Sequence, residues 1–285
     1  MQTLIVIPAR YSSSRFPGKP LAQLAGKTIL ERVWEIASFV CERVENCRAV
    51  VATETPSSQC PSDRIIDFCN QRGIPVVETS NECRSGTDRA WETVCKQSEK
   101  PDVIVNLQGD VPTCPPNFLM QIIDALQKRP EAAVASIYAR LSWRALDALR
   151  NAKKTNPFSG TTVAVDKQGR ALWFSKNIIP AVRKENDLRK LSNLSPILRH
   201  VGLYAYRSAA LEFFANSPKG YYEKLEELEQ LRFLENGYLV QMVEGSYPPG
   251  YDQVTSGVDS PEDLERVESI IRSSGELLEY FYSQR

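Results

Sequence analysis

Short apolar runs and helix-period stripes alternate through the first half of the chain. Leu4-Ile5-Val6-Ile7 is a continuous apolar run stopped by Pro8, the pattern of a strand buried on both faces. A loop of Ser, Gly and Pro follows to Pro20. Ile29, Leu30, Val33, Ile36 and Ala37 then mark one face of a helix over about Thr28–Val40. Arg48–Thr53 predicts a second strand, and Asp63–Arg72 a helix stopped at Gly73. Ile74–Val77 predicts a third strand and Gly86–Gln97 a helix. Asp102–Leu107 predicts a fourth strand, ending at Gln108-Gly109-Asp110, with a helix over Pro116–Lys128 after it. Strand, loop and helix repeated four times predict a doubly wound α/β fold with a mostly parallel central sheet. Ligands of such sheets bind beyond the carboxyl ends of the strands, where the loop after the first strand and Gln108–Asp110 both fall.

The second half is less regular. Ala133–Tyr138, Thr161–Asp166, Val201–Tyr206 and Tyr238–Val243 have strand patterns, whereas 181–198 and 216–222 read as polar loops. Leu225, Leu228, Leu231 and Leu234 predict one strong helix over Tyr222–Asn236, closed by Gly237. A last helix is expected over Pro261–Ser273, with Ser260 at its N-cap. No composition break marks a linker. The chain therefore reads as one α/β domain over 1–285, with the strand–helix repeats at 1–132, a smaller α+β region at 133–215, and a return to the main sheet at 216–273.

Composition changes this picture in one respect. Lys plus Arg and Asp plus Glu stand at 35 each, so no bulk field favours nucleic acid or an anionic membrane. A local cluster of cations is then conspicuous, and Ala9–Pro20 holds Arg10, Arg15 and Lys19 among three serines. Fixed charge, guanidinium donors and amides freed by a tight loop are what phosphates require. The loop matches neither the Walker nor the dinucleotide pattern. The seven cysteines have no CxxC pair, and the single histidine, His200, lies far from them, which argues against zinc and for reduced thiols in a cytosolic protein. The opening residues lack a signal-peptide pattern, and no apolar run approaches the ~20 residues of a membrane span.

Ile7-Pro-Ala-Arg-Tyr-Ser-Ser-Ser-Arg-Phe-Pro-Gly-Lys-Pro-Leu21 resembles the signature of the CMP-Kdo synthetases (3-deoxy-manno-octulosonate cytidylyltransferases). Ser85–Arg89, Val105–Asp110, Ala171–Ser175 with Ile179-Pro180, Arg199–Tyr206, Leu228–Arg232 and Gly257–Leu264 resemble further motifs of that family, in the same order. The resemblance implies a nucleotide-diphospho-sugar transferase fold and transfer of CMP from CTP to an acidic ulosonic sugar for lipopolysaccharide or capsule synthesis. It implies a catalytic set of Arg10, Arg15, Lys19, Asp110 and Asp259. Ala9, Arg10, Arg15, Lys19, Ser85, Gly86, Arg89 and Asp110 would bind CTP. Gln108, His200, Tyr204, Glu226, Glu229 and Gln230 would bind the sugar. Asp110 and Asp259 would hold Mg2+, although Asp259 read alone merely flanks a capped helix. A homodimer is implied as well, with nucleotide binding in 1–132, sugar binding and dimerisation in 133–215, and the second metal aspartate in 216–273.

The chain departs from the family pattern at Val111, where Glu is usual, at Thr162 in place of Lys, and at Ala181-Val182-Arg183. Glu54 stands where Asp is usual, an insertion spans Thr55–Pro61, and residues after Gly275 extend past the usual end. These changes spare the phosphate loop and both acids, and bear on which sugar is used. Kdo is the default. The alternatives are an amino-Kdo or another ulosonic acid, or a non-catalytic nucleotide-binding relative.

Overall fold

The computed structural model describes residues 1–12, 16–57, 60–251 and 257–284. Arg15, assigned above to the phosphates, lies outside the described residues. Strand β1 (Thr3–Pro8) is buried at all six positions. A 3-10 turn (Lys19–Leu21) and the small hairpin β2 (Gln23–Leu24) and β3 (Lys27–Thr28) lead into α1 (Ile29–Cys41). The side chain of Thr28 accepts from the Glu31 amide while Glu31 reaches back to the Thr28 amide, so the start of α1 is capped reciprocally. Then follow β4 (Cys47–Glu54), α2 (Asp63–Gln71), β5 (Val76–Thr79), α3 (Gly86–Cys95), β6 (Val103–Asn106) and α4 (Pro116–Lys128). Next come β7 (Val134–Ser142), α5 (Trp143–Thr155), β8 (Thr162–Val165), β9 (Ala171–Ser175), α6 (Glu185–Leu191), β10 (Leu194–Arg207) and α7 (Ser208–Asn216). The chain continues through α8 (Tyr221–Glu226), α9 (Gln230–Glu235), β11 (Val240–Glu244), α10 (Pro261–Ser274) and α11 (Leu277–Tyr282).

The strands run in the order β11-β7-β10-β6-β1-β4-β5, with β8 and β9 attached beside β10. β6, β1, β4 and β5 are parallel, as are β11 and β7, while β10 lies antiparallel to both of its neighbours. The chain passes from β1 outward through β4 to β5 and then returns to place β6 on the other side of β1. That reversal opens a crevice at the carboxyl ends of β1 and β6. Alternate residues of β1 feed two cores. Ile5 and Ile7 pack with α1 and α4, and Leu4 and Val6 pack on the face that carries α3, α7 and α9.

Three expectations are corrected. The third strand is Val76–Thr79, because it pairs with β4 from Val51 to Glu54, leaving Ile74 and Pro75 as its approach. The polar segment 181–198 is not a loop throughout. It holds α6 and the first third of β10, which pairs with the β7 residues Ser142 and Arg140. The helix expected over Tyr222–Asn236 is two helices, broken at Glu227, which sits at φ 52°. The break lets the Arg232 guanidinium clasp the Glu223 carboxylate, Nε to Oε2 at 2.6 Å, with both side chains buried. In one straight helix these residues would stand on opposite faces and about 13 Å apart along the axis. Leu225, one of the four leucines that suggested a single helix, is 62% exposed.

Candidate active site

Three chain segments meet at the crevice between β1 and β6. Ala9 leaves β1 buried, its amide donating to the Ala52 carbonyl at 2.8 Å. The loop that follows turns back at Gly18, whose φ of 72° suits glycine, with the Tyr11 ring 3.3 Å from where a Cβ would stand. Beyond β6, Gly109 donates to the Pro8 carbonyl, and a Cβ there would lie 2.5 Å from that oxygen, so only glycine lets Asp110 come this close to β1. The third segment arrives from the other end of the chain. The Val258 amide donates to the Asp110 carbonyl at 2.8 Å, and Gly257 packs directly against Asp110.

This arrangement brings Asp110 and Asp259 to one cation. Lys19 Nζ lies 2.7 Å from Asp110 Oδ2 and 3.2 Å from Asp259 Oδ1. An ammonium shared by two carboxylates marks where a divalent cation fits, and magnesium is content with one or two carboxylates plus phosphate oxygens and water. Among the described residues no group of three or more His, Cys, Asp or Glu gathers to form an all-protein cage. The donor set therefore suits an ion that arrives with its nucleotide.

A cavity of about 350 Å³ opens beside these groups, lined also by Ala9, Arg10, Ser12, Gly86, Arg89 and Gln108. Arg89 is 1% exposed, with Nη1 donating to Thr79 Oγ1, and its Nε has no acceptor among the described residues. Burial pushes this guanidinium below its usual value, while Cys83 and Glu54 oppose the shift. Such a buried cation with an unused donor favours an uncharged or anionic acceptor in the cavity. Ser85 caps α3 in a reciprocal box with Asp88 and borders a second cavity of about 680 Å³ that also includes Glu229.

Of the residues expected to bind sugar, Gln108 lines the first cavity and Glu229 the second, whereas His200, Tyr204, Glu226 and Gln230 line neither. His200 Nε2 is 2.9 Å from Ser136 Oγ, whose own proton goes to the Leu203 carbonyl at 2.8 Å, so the imidazole donates through Nε2. The ring packs between Phe174 and Tyr204, and burial, with Lys176 nearby, lowers its pKa to about 3. Tyr204 donates to Gln230 Oε1 at 3.0 Å, and Gln230 Nε2 is buried without an acceptor among the described residues. Glu229 accepts from Thr87 Oγ1 at 2.7 Å, and burial raises its pKa. Glu226 is turned to Ser175 Oγ, at 3.0 Å, and to the Lys176 amide.

Sequence reasoning missed the groups that join these two sets. Gln108 donates to Asn106, Asn106 to Thr87 and Thr87 to Glu229, a chain buried at its centre that runs from the cavity to the residue before Gln230. Glu54, at the carboxyl end of β4, is 5% exposed and accepts from the Tyr11 amide at 3.0 Å and from Ser12 Oγ at 3.3 Å, so this departure, expected to spare the phosphate loop, instead holds the loop's start. Its position at a strand end on the ligand edge was the available signal.

A family model described as cytidylyltransferase matches residues 4–243, which sets the class of this site. The 3-deoxy-manno-octulosonate cytidylyltransferase of Maricaulis maris is 39% identical over 278 residues, covering 98% of this chain and 100% of that protein. The mitochondrial enzyme of the same name from Arabidopsis thaliana is 34% identical over 267 residues, 94% of this chain and 82% of its own. A solved CMP:2-keto-3-deoxy-manno-octonic acid synthetase complexed with CTP superposes with a TM-score of 0.78 at 32% identity, over 96% of this chain and 100% of that one. The chain belongs to the 3-deoxy-manno-octulosonate cytidylyltransferase family.

Proposed function

We propose that this protein transfers CMP from CTP to the anomeric hydroxyl of a 3-deoxy-2-ulosonic acid, Kdo by default, and releases pyrophosphate. The observation that carries the reading is the meeting of Lys19, Asp110 and Asp259 in a cavity that also holds Arg10 and Arg89. The relatives' names supply the nucleotide and the sugar. The sugar oxygen bonds to the α-phosphorus, the α–β anhydride bond breaks, pyrophosphate leaves with the electron pair, and the hydroxyl proton passes to water. Positioning and charge neutralisation dominate catalysis of this kind. Asp110 and Asp259 are the residues that would hold Mg2+, which when bound neutralises phosphate charge and acidifies the attacking hydroxyl. Arg10 and Lys19, with Arg15, offset charge on the departing pyrophosphate.

Ser85, Gly86 and Arg89 are assigned to cytosine, the Arg89 Nε–H, without an acceptor among the described residues, being a donor suited to a base carbonyl. Gln108, His200, Tyr204, Glu229 and Gln230 are assigned to the sugar, with a neutral imidazole acting as a hydrogen-bonding group. Glu226 acts through the turn at Ser175–Lys176 that it holds. A homodimer suits the large apolar side chains left exposed, which fall between Phe158 and Leu225 apart from Tyr280 and Tyr282. No helix among the described residues is long and apolar enough to cross a membrane. We assign the protein to the cytoplasm and its product to lipopolysaccharide or capsule synthesis. Pyrophosphate release measured with each of the four NTPs and a panel of ulosonic acids tests the activity. Release is expected with CTP and Kdo in the presence of Mg2+. A silent panel overturns the reading and leaves a nucleotide-binding relative.

A further inference from the structure

Helix α10 is fastened at both ends to a single stretch of chain, residues 19–32. At its start, Asp259 pairs with Lys19. Just past its end, Glu276 receives both terminal nitrogens of Arg32, Nη1 to Oε2 at 2.6 Å and Nη2 to Oε1 at 3.2 Å. Arg32 is 5% exposed and spends its other contacts on the turn of the β2–β3 hairpin, Nε to the Leu24 carbonyl at 2.8 Å and Nη2 to the Ala25 carbonyl at 2.7 Å. One guanidinium thus joins the hairpin that follows Lys19 to the far end of the helix that follows Asp259. Tyr251 adds a second tie, its hydroxyl donating to the Gly275 carbonyl at 2.6 Å. A Cβ on Gly250 would stand 2.1 Å from Ser274 Oγ, so the main chain there lies directly on the end of α10.

Between these ties α10 is a 14-residue rod, about 21 Å long, with Val267 and Ile271 buried along its side. Apolar packing resists lifting the rod off the core but constrains sliding along its axis weakly, because neighbouring ridges offer similar grooves. Axial position is what places Asp259 against Lys19 and Asp110. The Val258–Asp110 hydrogen bond fixes the main chain at the near end, and a directional, bidentate contact at the far end adds a second constraint on axial position.

We propose that Glu276 is a positioning residue for cytidylyl transfer, latching α10 through Arg32 so that Asp259 is held at its spacing from Lys19 and Asp110. The inference rests on the proposed function for its kinetic consequences, and on geometry alone for its effect on cation binding. Two measurements on the full-length protein test it in Glu276→Gln: Mn2+ affinity in the presence of CTP, by electron paramagnetic resonance, and the Mg2+ dependence of turnover. Both are expected to weaken about fivefold, the equivalent of about 1 kcal/mol. KM for the ulosonic acid is expected within about twofold of the parent, Glu276→Asp should recover part of the loss, and Glu279→Gln, at an exposed position of α11, should change neither quantity. Should Glu276→Gln fold poorly, Tyr251→Phe is expected to give the same shift with smaller size. Unchanged Mn2+ affinity and Mg2+ dependence in both variants would overturn the latch, as would a parallel loss of cation and sugar binding, which marks general loosening. A parent protein that binds Mn2+ with CTP but releases no pyrophosphate defeats the proposed activity and leaves the latch to be judged on affinity.

Discussion

A histidine packed between Phe174 and Tyr204, with Ser136 on its Nε2, has little water to solvate a cation, and burial carries its pKa down to about 3. In an unfolded chain histidine titrates near 6.5. Between pH 6.5 and about 3 the unfolded state takes up a proton that the folded state refuses, so this residue lowers stability as pH falls through that window. His200→Gln removes this pH dependence. Between pH 7 and pH 5 the parent is expected to lose about 1–2 kcal/mol more than the variant in urea denaturation, allowing for the ring's partial exposure. Equal losses in the two proteins would mean that His200 titrates like a solvated imidazole. Asp110, Asp259, Lys19 and Arg89 were readable in the sequence because each sits in a contiguous motif with its neighbours. Glu54, Asn106 and Thr87 were not. Their partners are fixed by which strand lies beside which, and Asn106 becomes a link between Gln108 and Thr87 only once α3 packs over β6.

Most elements in the first half were legible because β1 and β6 are buried throughout, β4 is buried over its last five residues, and the helices carry apolar stripes, so pattern and packing agree. Beyond Ala133 they part company. β10 reaches fourteen residues because β7, β8 and β6 pair with it in succession, and a polar start costs little where one face meets solvent. The α8–α9 break was hidden because leucines at three-residue spacing describe a helix equally well whether or not Glu227 leaves it. The buried Glu223–Arg232 pair decides the matter, since losing it would strand two charges in the core. Glu227 then adopts a left-handed backbone that costs a non-glycine residue about 1–2 kcal/mol. Glu227→Gly should therefore raise stability by about 0.5–1 kcal/mol, after the greater freedom of glycine in the unfolded chain is set against the relief. Thermal and urea unfolding check this, with turnover unchanged. A loss of stability would indicate a continuous helix through this position.

Across the whole molecule the decisive feature is the reversal of strand order at β1, which turns three remote segments into neighbours. The motifs named the residues, but only the sheet explains why Asp259, far along the chain, is bound to the segment after β6. Its loop hydrogen-bonds to the Asp110 main chain, and its side chain reaches Lys19. The two carboxylate oxygens, each in contact with the same ammonium, lie at most about 6 Å apart, close enough for like charges to repel. The proposed function gives Lys19 two duties: closing the site when no divalent cation is bound, and facing phosphate when one is. Lys19→Met separates them. With the ammonium gone, two partly exposed carboxylates face each other at neutral pH, and the protein without metal should lose about 1 kcal/mol at low salt, screening keeping the penalty small. Millimolar Mg2+ should raise the melting temperature of Lys19→Met more than that of the parent, because it relieves a repulsion that the parent has already neutralised. Adding Asp259→Asn should abolish that extra rise by removing half of the site. Thermal shift assays on the three proteins, with and without Mg2+, make the comparison. If Mg2+ stabilises all three alike, the cation is binding elsewhere, and the pairing of Asp110 with Asp259 is a lysine salt bridge and not a metal site.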